Sequence, residues 1–421
     1  MSPAQATGRV RGVTGLRITA VLPAARIGDV VVVRRRGAPL LAEVVGFDEG
    51  VVVALPLGET TGVGTDDAVE STGAPLELRV GEGLLGRVLD GLGRPLDGRP
   101  LSRGEPLPVD RAPIPALQRR LVDAPLATGI RAIDGLLTLG VGQRIGLFSG
   151  SGVGKSTLLG SLARSAAADV IVVALVGERG REAKELIEQS LAPALARTVV
   201  VVATSDAPAV ERLRAAQVAT TVAESFRDAG KRVLLVVDSI TRVARAQREM
   251  GLAAGEPPAR RGYPPSVFAM LPRLLERSGP GAVGSITAIY AVLVEGDDLD
   301  EPITDEVRGI LDGHIVLSRG LAERHHYPAI DVPASVSRTM RRVVSSEHLA
   351  SAGTVRSLIA LANEKKDLVA LGAYRAGSDP AVDRALAAED EIRRFLRQPE
   401  GDAPSFESTV LSLSHLSARY G

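Results

Sequence analysis

From Val170 onward the chain carries blocks of consecutive β-branched and aliphatic residues: Val170 to Val176, Thr198 to Ala203, Val233 to Val237 and Ile286 to Val294. Apolar runs without alternation mark strands buried on both faces, as in a parallel sheet. Between them lie stretches predicted as helices, Arg181 to Ala196, Ala207 to Asp228 and Ser266 to Arg277. Strands alternating with helices predict an α/β layer that binds its ligand at the carboxyl ends of the strands. The first eighty residues read differently. Leu16 to Val21, Asp29 to Arg34, Leu41 to Phe47 and Val51 to Leu55 are short runs punctuated by glycine and proline, the pattern of a small closed β-barrel. Arg34-Arg35-Arg36 before Gly37 reads as a solvated hairpin tip. Gly81 to Pro108, dense in glycine and proline, reads as a passage between domains. After about Val343 the strands stop. Ser345 to Leu361 and Asp379 to Arg397 follow as helices, the second capped by Asp379 with Pro380 in its first turn. The expected division is a barrel over 1–80, a central unit over 81–343 and a helical unit over 344–421.

One stretch organises the rest. Ser149-Gly150-Ser151-Gly152-Val153-Gly154-Lys155-Ser156-Thr157 follows the apolar run Ile145 to Phe148 and precedes Leu158-Leu159-Gly160-Ser161-Leu162-Ala163. Strand, glycine-rich turn and a helix opening on Lys-Ser-Thr make a phosphate-binding loop, because backbone amides and the helix N-terminus then point at an anion. The glycines let the backbone approach phosphate oxygens, Lys155 can reach the β and γ phosphates, and Ser156 can hold Mg²⁺. The pattern asks for glycine at its first position, where this chain has Ser149.

Composition narrows the partners. Lysine plus arginine equal aspartate plus glutamate at 50 each, so no net field draws the chain to nucleic acid or an anionic membrane. Aromatic residues are 3% of the chain, which leaves few base-stacking platforms. Without cysteine there is no disulfide, thiolate nucleophile or cysteine-ligated metal. Met1-Ser2-Pro3-Ala4-Gln5-Ala6-Thr7 lacks the apolar core of a signal peptide, and no stretch approaches the roughly 20 apolar residues of a membrane span. A cytosolic protein is expected.

Three further positions bear chemistry. Val233 to Asp238 is a strand ending in a carboxylate, which in a phosphate-loop fold stands beside Mg²⁺. The strand Val170 to Val176 ends in Gly177-Glu178-Arg179-Gly180-Arg181-Glu182; a carboxylate at the tip of a strand next to the loop strand can polarise the attacking water, which makes Glu178 the candidate general base, with a solvated charged turn the equal reading from these residues alone. Glu182 suits the first turn of the next helix. Ser335-Val336-Ser337-Arg338 offers an arginine that, supplied by a neighbouring subunit, can speed phosphoryl transfer ~10³-fold or more, although by spacing alone Arg338 reads as an ordinary surface charge.

The phosphate loop, Gly177 to Glu182, Tyr263-Pro264-Pro265-Ser266-Val267-Phe268, Glu295 to Pro302, Arg308 to Arg319 and His326-Tyr327-Pro328-Ala329-Ile330-Asp331 together resemble the ATPases of flagellar and type III protein export, relatives of the catalytic and non-catalytic subunits of rotary ATP synthases. The resemblance runs from about Gly8 to the C-terminus. It implies an α/β fold with a RecA-like P-loop NTPase core, an N-terminal β-barrel and a C-terminal helical domain, assembled as a homohexameric ring with ATP between neighbours. It further implies that Gly150, Ser151, Gly152, Val153, Gly154, Lys155, Ser156 and Thr157 wrap the phosphates and that Ser156 and Asp238 serve Mg²⁺. Glu178 then activates water, Arg179 supports the γ-phosphate, Arg338 is the arginine finger for the next subunit, and Tyr327 lies against adenine. Two departures stand out. Glu400 occupies the place of a second adenine-packing aromatic in the rotary catalytic subunit, and few residues precede the barrel where export ATPases commonly dock a stator protein. Because Glu178 and Arg338 occur in one chain, a ring of identical subunits could form six complete sites.

Implied partners are a stator or regulator, a stalk, the export gate, export substrates and their chaperones, with a cytoplasmic position peripheral to the inner membrane and no nucleic acid. The motifs lean flagellar; an injectisome ATPase, a non-catalytic ring subunit and an RNA translocase are the other readings.

Overall fold

A computed structural model describes residues 6–101, 104–294, 296, 298 and 300–421. Part of the N-terminal stretch (1–5) and part of the Glu295 to Pro302 motif (Glu295, Asp297 and Leu299) lie outside the described residues. A six-stranded barrel comes first: β1 (Thr7–Thr14), β2 (Arg17–Val21), β3 (Val30–Arg34), β4 (Leu40–Asp48), β5 (Val51–Pro56) and β6 (Ala68–Ser71), closed in the order β1-β2-β5-β4-β3-β6. Its strands alternate inward apolar and outward polar residues, so Val10, Ile18, Val33 and Val44 fill the interior. Gly8 is required where β1 passes the end of β2, since a Cβ there would sit 1.9 Å from the Val21 carbonyl oxygen. The Arg34–Arg36 tip behaves as a solvated turn, with Arg34 paired to Glu70 at 2.7 Å.

Next come β7 (Glu77–Val80), β8 (Val88–Asp90) and β9 (Glu105–Pro108), then β10 (Pro125–Leu126), α1 (Arg131–Leu136) and β11 (Leu139–Gly140). The sheet proper uses β12 (Arg144–Ser149), β13 (Val170–Val176), β14 (Thr198–Ala203), β15 (Arg232–Asp238), β16 (Gly279–Pro280), β17 (Ser285–Leu293), β18 (Gly313–Leu317) and β19 (Ile330–Ser337). Its order is β19-β18-β12-β17-β15-β13-β14-β8, parallel apart from β19, with β16 pairing antiparallel beside β17. The helices are α2 (Lys155–Ser165), α3 (Gly180–Glu185), α4 (Ala209–Asp228), α5 (Ile240–Ala253), α6 (Pro265–Leu275), α7 (Pro302–Ile310), α8 (Arg319–Glu323), α9 (Met340–Val343), α10 (Ser346–Ala370), α11 (Pro380–Leu396) and α12 (Phe406–Tyr420). Every residue of β13 and β14 is buried, as unbroken apolar strands require. Among the described residues, no helix is long and apolar enough to cross a membrane.

Three expectations need correction. The Gly81–Pro108 passage is built into the core: β8 pairs Val88 to Asp90 with Val200 to Val202 at the sheet edge, and β7 pairs with β9. A three-residue strand is too short for periodicity to register; it is closed by a turn in which the Asp90 carboxylate accepts from the Leu92 and Arg94 amides at 2.9 and 2.8 Å. The helix expected over Arg181–Ala196 regularises only as α3, then loosens into a π turn (Leu186–Ser190) and a 3-10 turn (Ala192–Arg197), because Pro193 has no N–H to continue an α-helix. The strand carrying Glu178 is not beside the loop strand: β17 and β15 separate β12 from β13. In α11 the Asp379 cap is present, its carboxylate accepting from Ala381 and Val382 amides at 2.9 and 3.4 Å.

The segment after β9 is tied to α4 by a buried pair. Arg277 donates to both oxygens of Glu224 (3.0 and 2.8 Å), to Thr221 Oγ1 (2.8 Å) and to the Val109 carbonyl (2.9 Å), and both charged groups are 2% exposed. Removing one charge strands the other in the interior. Glu224→Ala is therefore expected to cost about 3–5 kcal/mol of stability, read as a fall in the unfolding midpoint.

Candidate functional site

The loop leaves β12 at Ser149 and enters α2 through Gly154, whose φ of 89° and position under the Tyr327 ring exclude a side chain: a Cβ there would lie 3.2 Å from the ring. Gly152 also takes a positive φ, 75°, with open space around it. These turns bring the N-terminus of an eleven-residue helix to the rim of the sheet, with Ser156 and Thr157 exposed in its first turn.

Lys155 bridges what the strand order separates. Its ammonium ion-pairs with Asp238 at the tip of β15 and lies 3.4 Å from Glu178 beyond the tip of β13, because Lys155 opens α2 at the carboxyl ends of the strands and its long side chain extends along them. All three side chains are shielded, Asp238 most deeply. Burial pushes the Asp238 carboxyl up from its ordinary value, and the Lys155 charge opposes that shift. A second cation, not foreseen from the sequence, flanks Glu178: Arg242 on α5 stands 3.5 Å from its other oxygen and packs across Gly177. Its position, one helical turn after the strand-ending Asp238, was the available signal. The Ser149 and Ser239 hydroxyls, at the tips of β12 and β15, are buried with no hydrogen-bond partner.

Beside the loop opens a cavity of about 750 Å³ lined by Gly152, Gly154, Thr157, Tyr327, Gln398 and Glu400, among others. Sequence reasoning missed what holds its far wall. The Gln398 amide donates to the carbonyls of Gly129 (2.6 Å) and Asp402 (2.7 Å) and accepts from the Arg131 amide (2.9 Å), while the Gln398 backbone amide donates to the Tyr327 carbonyl (2.9 Å). Arg131 adds bonds to the carbonyls of Phe395 and Arg397. Glu400 does line the cavity, turned to Arg164 of α2 at 3.2 Å. A polar strap thus stands where an aromatic wall would be.

Two expected site residues lie outside the cluster. Arg179, at the start of α3, is exposed and faces Glu182 at 3.6 Å. Arg338 is farther still. Its amide donates to the Asp312 carbonyl (3.0 Å) and the Asp312 amide to Arg144 (2.9 Å), which sets it level with the first residue of β12, whereas the loop departs from the last. Five residues of strand separate those levels, about 16 Å, and two strand spacings add about 10 Å sideways. The exposed Arg338 side chain has no hydrogen bond or ion pair among the described residues, and its guanidinium cannot span that distance to Lys155 of its own chain.

Next to Tyr327, His326 is buried against α11, and burial, with Arg397, Arg393 and Arg324 around it, pushes its pKa down to about 4. Its folded value lies below the 6.5 of an unperturbed histidine, so the folded form binds fewer protons; the associated stability is complete above pH 6.5 and is lost as pH falls from 6.5 towards 4. The unfolding midpoint is expected to drop across that window, and His326→Gln to flatten the drop.

Three family models match the chain. The ATP synthase alpha/beta family model covers its nucleotide-binding domain at 129–337 and its beta-barrel domain at 10–73, and the T3SS EscN ATPase C-terminal domain covers 344–415. The chain is 52% identical to the type 3 secretion system ATPase of Xanthomonas euvesicatoria (96% of this chain, 92% of that one). It is 48% identical to the flagellum-specific ATP synthase of Bacillus subtilis (97% and 94%). The assembled ATPase EscN of the enteropathogenic E. coli type III secretion system superposes with a TM-score of 0.92 at 48% identity, covering 97% of this chain and all of that one. EscN in complex with its central stalk EscO gives 0.91 with the same coverage.

For the loop itself, Gly154→Ala adds ~1–3 kcal/mol of backbone strain and a clash with Tyr327, so nucleotide affinity is expected to fall roughly tenfold or more in a fluorescent-nucleotide titration.

Proposed function

The chain is a P-loop ATPase that belongs to the flagellar and type III secretion branch of the ATP synthase alpha/beta family, and from that premise we propose that it works as a homohexameric ring in which each ATP is bound by one copy and attacked with the help of the next. The observation that carries this reading is the split of the site. Lys155, Glu178 and Asp238 converge at the carboxyl ends of the strands, while Arg338 stands free at the amino end, out of reach of its own loop.

The loop amides and Lys155 hold the triphosphate, and Tyr327 with the Gln398 strap borders the space for the base. The residues present fit Mg²⁺: the Ser156 hydroxyl and the Asp238 carboxylate are the hard oxygen donors it prefers, and the orphaned buried hydroxyls of Ser149 and Ser239 show a rim prepared for polar partners. Bound there, the ion would neutralise charge on the β and γ phosphates. Glu178, held between Lys155 and Arg242, accepts a proton from the attacking water as its oxygen bonds the γ-phosphorus and the bond to the leaving ADP oxygen breaks. Arg338 of a neighbouring copy takes up the charge that spreads over the transferring group, and Arg179 lends further positive charge to it. The work so driven is unloading or unfolding of substrates for flagellar-type protein export, with a stalk protein in the ring axis as the EscN–EscO complex suggests, and with stator, gate, chaperones and an inner-membrane periphery as the remaining partners.

Glu178→Gln is expected to keep nucleotide affinity and lose ~10²–10⁴-fold in kcat. Lys155→Ala and Arg338→Ala are each expected to be nearly inactive, and co-assembly of the two to restore measurable phosphate release, since some seams regain one intact loop and one intact arginine. Mixed rings as inactive as their parents would overturn the shared site.

A further inference from the structure

The strap from Ile114 to Leu121 crosses the amino end of the sheet. Arg119 donates to the carbonyls of Ile114 (3.1 Å) and Ser278 (2.9 Å) and pairs with Glu276 at 3.2 Å, and Arg120, an exposed residue, donates to the Gly281 carbonyl (2.7 Å), so both guanidinia are held by oxygens of their own chain. The outer face carries the leucines instead: Leu117 is fully exposed, Leu121 is 75% exposed, and Val283 beside it is 63% exposed. Isolated apolar residues on a surface are ordinary. Three large aliphatic side chains turned outward beside arginines already engaged within the chain are the composition of an interface core with a polar rim.

Its position says what covers it. Val122, the next residue, packs on Gly140, where a Cβ would lie 2.1 Å from Val122 Cγ1 and 3.4 Å from Thr339 Oγ1. Thr339 follows Arg338, so the strap passes one packed residue away from the segment that carries the free guanidinium, on the same amino end of the sheet. In a head-to-tail ring, one edge of each copy meets a different edge of the next, and the surface flanking a residue that enters a neighbour's site is itself covered. We propose that Leu117, Leu121 and Val283 form part of the seam against a second copy of this chain and seat the edge from which Arg338 reaches the neighbour's Lys155. The inference rests on the trans reading of Arg338 and adds the surface that positions it.

The test uses the full chain with ATP and Mg²⁺. Leu117→Asp/Leu121→Asp is expected to fold with the parent's circular dichroism and unfolding midpoint, since both side chains are solvent-exposed within one chain. Sedimentation should show its assembly midpoint moved to at least about tenfold higher protein concentration, the equivalent of 1.4 kcal/mol, with phosphate release falling in step at low concentration. Leu117→Met/Leu121→Met should assemble like the parent. If the aspartates lower the unfolding midpoint, Leu121→Ser gives the same readout with a smaller shift. Arg338→Ala should assemble at the parent's concentration yet release no phosphate. Assembly of the fully folded aspartate variant at the parent's concentration overturns the seam, whatever Arg338 does. Weakened assembly of the aspartate variant alongside normal hydrolysis by Arg338→Ala keeps the seam and removes the trans arginine.

Discussion

An ammonium held between two carboxylates at the rim of a parallel sheet sets the rest of this molecule. Lys155 meets Asp238 and Glu178 only because β12, β15 and β13 run in the same direction and release their chains at the same end. The sheet's burial on both faces fixes that common end, and the Lys155 side chain, at the start of α2, reaches the tips of both β15 and β13. Burial alone would penalise the Asp238 charge; the lysine offsets it. The same three groups that stabilise one another without a ligand are those to which the proposal gives phosphate, metal and water.

The parallel arrangement also underlies the proposal that one chain is an incomplete catalyst. Everything at the carboxyl ends of the strands belongs to the loop's site, and everything at the amino ends is a strand's length away. Arg338, following the antiparallel β19, is delivered to that far end, together with the strap bearing Leu117 and Leu121. In the proposed ring of identical chains the separation is resolved, because the amino-end edge of one copy would meet the carboxyl-end rim of the next.

Much of this was legible in the residues. Unbroken runs such as Val170–Val176 could be nothing but doubly covered strands, and Gly152, Gly154 and Lys155 declared the loop because glycine at positive φ and a cation at a helix start have few other joint uses. Asp379 announced its own helix through the cap that it makes. What was hidden depended on partners distant in sequence. No periodicity reveals that Val88–Asp90 extends the sheet beside β14, that β17 inserts between β12 and β15, or that Gln398 binds Gly129, 269 residues away. Arg242 escaped notice because its role appears only when Glu178 is placed beside it, and Glu400, marked as a departure, finds its meaning in Arg164.

The central claim is that catalysis needs two copies meeting across a seam. The dependence of ATP turnover per chain on total protein concentration addresses it most directly. Turnover per chain should approach zero at dilutions where the protein sediments as a monomer and rise steeply as rings form. A turnover per chain that stays constant from monomer to ring would contradict it.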